Sequence, residues 1–374
     1  MRLLFINRYR SPAMHRKTVL LAQTHGFDVR AVFPRVWQDE YGRVEQRTDW
    51  ASDVAGLQAA PVDFLGRVND PHRATYRTLD FGMRTFRPDV ILAEEEPDSI
   101  AALHMAVARA LFAPRAKLVL YTWQNQPRPL SAPVRAVQSA TLRAADAVIC
   151  ANSEAVDLLR SHGFGGHTPV IPAIGIDASV FTPQVRAPRR LNIGYVGRLA
   201  VEKGLDDLLA ALVLAHDLDA HLTLIGDGPQ RADLIQRVAA LGLSERVTFT
   251  GALSGPKLVS AYHDMQMLVL PSRTTPVWKE QFGRVLVEAM ACGVPVIGSS
   301  SGAIAEVIGD AGLVFPEGDV DALAAQIRRV ASDATLAVQM RRRGIERVHE
   351  HYTQERIAAA TAVFLRSLAS EHRR

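Results

Sequence analysis

A chain of 374 residues is longer than one hydrophobic core usually serves, so two domains are expected. Its 48% apolar content without low-complexity tracts excludes a disordered scaffold, and two distant cysteines, Cys150 and Cys292, exclude a disulfide framework or zinc-ligand spacing. The formal charge of +4 comes without an aromatic-interleaved basic platform or a helix-turn-helix signal, so no nucleic-acid partner is expected.

In chain order, the apolar run Leu3 to Ile6 is too short for a signal segment or a membrane span and reads as a first strand in a cytoplasmic protein. Much of the basic excess lies nearby, at Arg2, Arg8, Arg10, Arg16 and Lys17. A solvated surface is the plain reading. Peripheral contact with an anionic membrane or a phosphorylated substrate is the alternative. Strands are then expected at "DVRAVFP", "DVILAEE", "KLVLYTW", "AVIC" and "PVIPAI", with helices such as "DSIAALHMAVARALF" and "NSEAVDLLRSHGF" between them, the latter capped by Asn152 or Ser153. Gln38 to Ser52 is charged and turn-rich, and is expected to be a surface loop or hairpin. "FTPQVRAPRR", Phe181 to Arg190, reads as a linker.

The alternation restarts at "LNIGYVG" and continues through "HLTLIGD", "RVTFTGA", "MLVLPS", "VPVIGSS" and "AGLVFP", and the chain ends in helices only. Such alternation predicts two doubly wound α/β domains, with ligands at the carboxyl ends of the strands and in the cleft between the domains. The expected division is 1–180 and 181–352, with a helix over about 353–374.

Chemistry is expected where strands end. In "WKEQFGRVLVEAM" a helix is predicted to begin at Phe282 or Gly283, which puts Glu280 just before it and Glu288 in its second turn. The unpaired amides of Gly283 to Leu286 form an anion site suited to a diphosphate. A carboxylate does not bind phosphate, so Glu280 and Glu288 call for hydroxyl partners: together these are the parts of a nucleotide-sugar site. In "YVGRLAVEKG", Gly197 ends a strand, and Arg198 and Lys203 are placed to meet phosphate oxygens. "LIGDGP" brings Gly226, Asp227 and Gly228 to another strand end, either for ligand approach or as a tight turn. Asp217 to Asp219 and Asp319 to Asp321 read as helix caps, so no metal site is assigned.

Taken together, "EQFGRVLVEAMACGVPVIGSSSGAIAEVIGDAGLVF", "GYVGRLAVEKG", "LIGDGP", "VTFTGAL" and "IPAIGIDASVF" resemble retaining glycosyltransferases of family 4, with the GT-B architecture, over roughly Ile171 to Val363. The resemblance implies transfer of a sugar from a nucleotide-diphosphate donor to an acceptor hydroxyl with retention, in polysaccharide, glycolipid or natural-product assembly, and with no cofactor. It implies that Glu280 contacts the transferred sugar, that Glu288 holds the ribose, and that Arg198 and Lys203 balance the leaving diphosphate. Gln281, Phe282, Gly283, Arg284 and Val285 would line the donor, although no fixed family role is known for Arg284. Gly251 to Leu253 would face the base. It also implies a last helix that crosses back to the N-terminal domain.

The N-terminal half departs from the family. The first loop, "NRYRSPAMHRK", has no glycine pair, and "YTWQNQPRP" has no histidine where many members carry one. Asn7, Arg8, Glu94, Glu95, Glu96, Gln124 and Asn125 are the acceptor-side candidates, with a helix start as the plainer role for the glutamates. His15 and His104 read as packing residues. Three alternatives remain open. A glycoside hydrolase would use the two glutamates as acid and base. An NAD-dependent oxidoreductase would need a G-x-G-x-x-G that this chain lacks. A silent nucleotide-sugar-binding protein would fit the altered N-terminal loops.

Overall fold

The computed structural model describes residues 1–8, 12–38, 44–46, 54–66, 70, 72–184 and 190–371. The chain divides into two compact units: unit 1 is Met1–Gly175 with Gln354–Arg374, and unit 2 is Ile176–Thr353.

Unit 1 holds six parallel strands: β1 (Arg2–Ile6), β2 (Asp28–Pro34), β3 (Leu57–Val62), β4 (Val90–Ala93), β5 (Lys117–Thr122) and β6 (Ala147–Cys150). Their spatial order is β6-β5-β4-β1-β2-β3, and the order reverses between β1 and β4. Loops at that switch point leave room for ligand groups at the strand ends. Alternation along β1 explains its unbroken apolar run. Leu3 and Phe5 pack on one face with Ile357, Leu365 and Leu368 of the last helix, Gln354–Ser370, so that helix belongs to unit 1. Leu4 and Ile6 pack on the other face with Ala102 and Met105 of the helix Ile100–Phe112. Both faces are covered, so both must be apolar.

Unit 2 repeats the plan with β7 (Leu191–Val196), β8 (Ala220–Ile225), β9 (Val247–Gly251), β10 (Met267–Leu270), β11 (Val296–Ser299) and β12 (Leu313–Phe315), in the order β9-β8-β7-β10-β11-β12. Both units are therefore doubly wound parallel sheets. Among the described residues no helix is long and apolar enough to cross a membrane.

Several expectations differ from the fold. "PVIPAI" forms no strand: Val170 makes a single bridge to Cys150, because Pro169 and Pro172 have no N–H to continue a ladder. Leu57–Val62, which sequence reading passed over, is a strand despite Pro61, because it lies at the sheet edge where the missing donor costs nothing. The units divide at Gly175/Ile176 rather than after residue 180. Ile176 N–H donates to Tyr352 O at 2.9 Å, and the Phe181 ring packs 6.3 Å from Tyr262, so both belong with unit 2. Of the expected linker, 185–189 lies outside the described residues. Of the charged segment, Gln38 and Val44–Gln46 are described, Val36–Gln38 pairing antiparallel with Val44–Gln46; its remainder, like Arg10, also lies outside the described residues. Asp319 caps the helix Val320–Ser332 through Ala322 N, whereas Asp217 is not a cap and pairs with Arg328.

Candidate active site

The strand ends of unit 2 are tied into a row by backbone bonds. Gly226 N–H donates to Gly251 O and Gly197 N–H to Ile225 O, both at 2.9 Å, so the glycines ending β7, β8 and β9 are neighbours. At Gly226 a Cβ would lie 1.8 Å from Gly197 O, and at Gly228 one would lie 2.4 Å from Leu199 O. These two glycines allow the close approach of one loop to another. Asp227 is exposed and accepts from Gly228 N, and Leu253 is half-buried just beyond β9.

Arg198 follows Gly197 with its side chain exposed. Its carbonyl accepts from Tyr195 Oη at 2.7 Å, which anchors the turn. Burial, with Glu280 and Glu202 nearby, pushes the Tyr195 phenol up, so it stays a donor. The Arg198 guanidinium forms no ion pair among the described residues. A short 3₁₀ turn, Val201–Lys203, then ends at Gly204 in a left-handed conformation (φ 64°), where a Cβ would sit 2.0 Å from Pro271 O. That contact seats the turn against the end of β10 and brings Lys203 across to Glu280. Lys203 Nζ lies 2.8 Å from Glu280 Oε2 and 4.2 Å from the Trp278 ring centroid.

Glu280 is nine-tenths buried; Ser272 Oγ also donates to its Oε2 at 3.0 Å, and Ala303 N–H holds its carbonyl. The helix Arg284–Ala291 begins one residue beyond the expected start, with Gly283 as its cap. Leu286 N–H donates to Gly283 O at 2.9 Å, so the terminal amides are those of Gly283, Arg284 and Val285, one fewer than the expected set. Gln281 is half-buried, while Phe282 is buried against Tyr352, with ring centroids 5.7 Å apart.

Glu288 is 5% exposed and held from both sides. Tyr262 Oη donates to its Oε2 at 2.8 Å, and Arg284 Nε lies 2.8 Å from its Oε1. Burial first, then the adjacent carboxylate, pushes the Tyr262 phenol well up, so it remains a donor. Arg284, which had no assigned role, therefore orients Glu288 one turn along the same helix. A carboxylate has about four acceptor sites, so these two bonds leave capacity for hydroxyl donors. Sequence reading missed Tyr262, Ser272 and Trp278. Trp278 stood inside the motif itself, but nothing local tied it to Lys203.

The strand ends of unit 1 differ. Arg8 Nε lies 2.5 Å from Glu95 Oε1, which also accepts from Tyr76 Oη at 2.9 Å. Lys17 pairs with Glu94, both side chains being buried. Glu96 accepts from Thr122 Oγ1 at 2.7 Å and from Trp123 N at 2.8 Å; burial still pushes its carboxyl up to about 7. The three glutamates thus end β4 as bonded groups and start no helix, since the next helix begins at Ile100 with Ser99 as its cap. Asn125 Nδ2 donates to Glu154 at 3.0 Å, and the Gln124 amide oxygen, turned to satisfy it, accepts from Arg128. Asn7 is 1% exposed, and its Oδ1 has no hydrogen-bond partner among the described residues. His104 bonds Thr75 Oγ1 at 2.9 Å, and His15 packs edge-on to Phe33.

A model of the family described as glycosyl transferases group 1 matches residues 182–347, nearly all of unit 2. Glycogen synthase of Mycobacterium tuberculosis is 32% identical over 307 residues, 78% of this chain and 72% of that protein. Among solved structures, sucrose-phosphate synthase from Thermosynechococcus elongatus superposes with a TM-score of 0.69 at 22% identity, covering 99% of this chain and 100% of its own. Anabaena HepE in complex with UDP superposes with a TM-score of 0.73 at 20% identity, covering 98% and 100%. The structural likenesses establish the GT-B fold, and identity sustained over more than two thirds of both chains establishes descent: this chain belongs to the glycosyl transferases group 1 family.

Proposed function

We propose that the protein transfers a sugar from a nucleotide-diphosphate donor, with UDP as the leading candidate, to an acceptor hydroxyl with retention of anomeric configuration. The observation that carries this is Glu288: a buried carboxylate, fixed by Tyr262 and Arg284, one turn past a helix start whose amides suit a diphosphate. Glu288 then receives the ribose hydroxyls. Glu280, held by Lys203 and Ser272, receives hydroxyls of the transferred sugar. Arg198 meets the diphosphate, and Lys203 shares its charge between Glu280 and the leaving group. These two cations supply the charge balance in this reading, so it invokes no metal.

The proposed route is front-face attack. The glycosidic C–O bond breaks with its electron pair going to the diphosphate, the acceptor oxygen bonds to the same face of the anomeric carbon, and its proton passes to the departing phosphate. HepE, solved with UDP, supports the choice of base. In unit 1, Arg8, Glu94 and Glu95 are committed to internal pairs and Asn7 is buried, which leaves the half-buried Gln124 as the preferred acceptor-side group. A polysaccharide, glycolipid or natural-product acceptor fits this reading. The test is a thermal-shift screen of UDP-, GDP-, ADP- and dTDP-sugars, because a ligand of the native state raises its stability by mass action. Stabilisation by a UDP-sugar is expected; no stabilisation by any of the four would overturn the reading.

A further inference from the structure

At the opposite end of the unit 1 sheet, where strands begin, lies a cavity of about 860 Å³. Its floor is fixed by the sheet. Arg2 N–H donates to Asp89 Oδ2 at 2.7 Å, Asp89 N–H to Arg2 O at 2.9 Å, and Lys117 N–H to Asp89 O at 3.0 Å. Five cationic side chains line it: Arg2, Arg87, Arg115, Lys117 and Arg366. Lys117 pairs with Asp146 at 3.1 Å, a carboxylate that Arg109 shares at 3.3 Å, and Asp89 is the one acid in the lining. Arg2, Arg87 and Arg115 are exposed and form no ion pair among the described residues. The helices Ile100–Phe112 and Gln354–Ser370 also end here, each bringing roughly half a negative charge. Setting the five cations and Arg109 against Asp89, Asp146 and the two helix ends leaves a charge of about +3.

Arg87 adds a second observation. It is one of two non-glycine residues with positive φ among those described, at 49°, and it immediately precedes Pro88. An arginine costs more there than glycine would; the conformation closes the short helix Met83–Phe86, where Arg87 N–H donates to Met83 O at 2.8 Å, and leaves this unpaired side chain at the cavity wall. Pro88, Phe112 and Pro114 supply an apolar wall. The volume far exceeds a bare phosphate and falls in the usual range for small-molecule sites.

We propose that this cavity binds a phosphate ester whose organic body lies against the apolar wall, with Arg2, Arg87 and Arg115 as the phosphate ligands. It is separate from the nucleotide-sugar site and does not depend on that assignment. The test is calorimetry on the full chain with phenyl phosphate, and sedimentation with phosphatidylcholine vesicles doped with phosphatidic acid, each with and without UDP. The variant combines Arg87→Gly, which relieves the backbone, with the exposed Arg115→Ser. Binding of either probe that persists with UDP present and weakens about tenfold or more in the variant supports the site. Phenyl phosphate then identifies a free metabolite as the source, and vesicles alone identify a lipid headgroup. Binding of neither probe, or equal binding by variant and wild type, overturns it. Failure of UDP to bind bears on the proposed function alone.

Discussion

The two units share one strand order but use their strand-end charges in opposite ways. In unit 1 the cations after β1, Arg8 and Lys17, are consumed by Glu95 and Glu94. In unit 2 the cation after β7, Arg198, stays exposed and unpaired among the described residues, while Lys203 meets Glu280 beside a half-buried Trp278. One topology thus carries an end whose cations are internally neutralised and an end whose Arg198 forms no ion pair among the described residues. The difference teaches that the sheet fixes where a ligand can sit, whereas pairing decides which charge it can carry.

The largest expected effect lies in unit 1. Lys17→Met leaves Glu94 buried without its partner and should cost about 3 to 5 kcal/mol of stability in denaturant unfolding, and adding Glu94→Leu should restore most of it. Unchanged stability in the single variant would mean that the pair is not closed. In unit 2, Arg198→Ala should leave stability nearly intact while lowering turnover by two or more orders of magnitude, about 3 kcal/mol. Near-normal turnover would remove Arg198 from the leaving-group site.

Glu96 gives a smaller effect with a defined sign. Its folded pKa, about 7, lies above the ordinary 4.5, so the folded state holds a proton that the unfolded state has released. The stability it contributes is complete below about 4.5 and is lost as pH rises to about 7, by up to about 2 kcal/mol, because part of the residue reaches solvent. Glu96→Gln should flatten that fall between pH 4.5 and 7; an unchanged profile would assign it elsewhere. Smallest is Arg284→Ala. Losing one half-exposed ion pair to Glu288 should weaken nucleotide binding a fewfold, about 0.5 to 1 kcal/mol, with turnover at saturation little changed.

The fold was legible because strands buried on both faces must be apolar throughout, and the βα alternation fixes a parallel sheet. The edge strand with Pro61 escaped because proline argues against a strand unless its edge position is already known. At the site, the helix start near Gly283 and the placing of Glu280 before it and Glu288 within it could be argued locally. Their supports could not: Tyr262 precedes Glu288 by 26 residues, and Lys203 precedes Glu280 by 77. The same distance separates Lys17 from Glu94, so a pair that read as a surface cation and an acceptor-side candidate proved to be one buried contact. The basic N-terminal excess is correspondingly smaller at the surface than in the sequence.

The most direct test of the central claim, that Glu288 and the helix start before it hold a nucleotide diphosphate, is calorimetric titration of UDP into the wild type and Glu288→Ala. The account predicts one site per chain and at least about tenfold weaker binding in the variant, on the scale of one charged hydrogen bond. Equal affinity in the two proteins would contradict it.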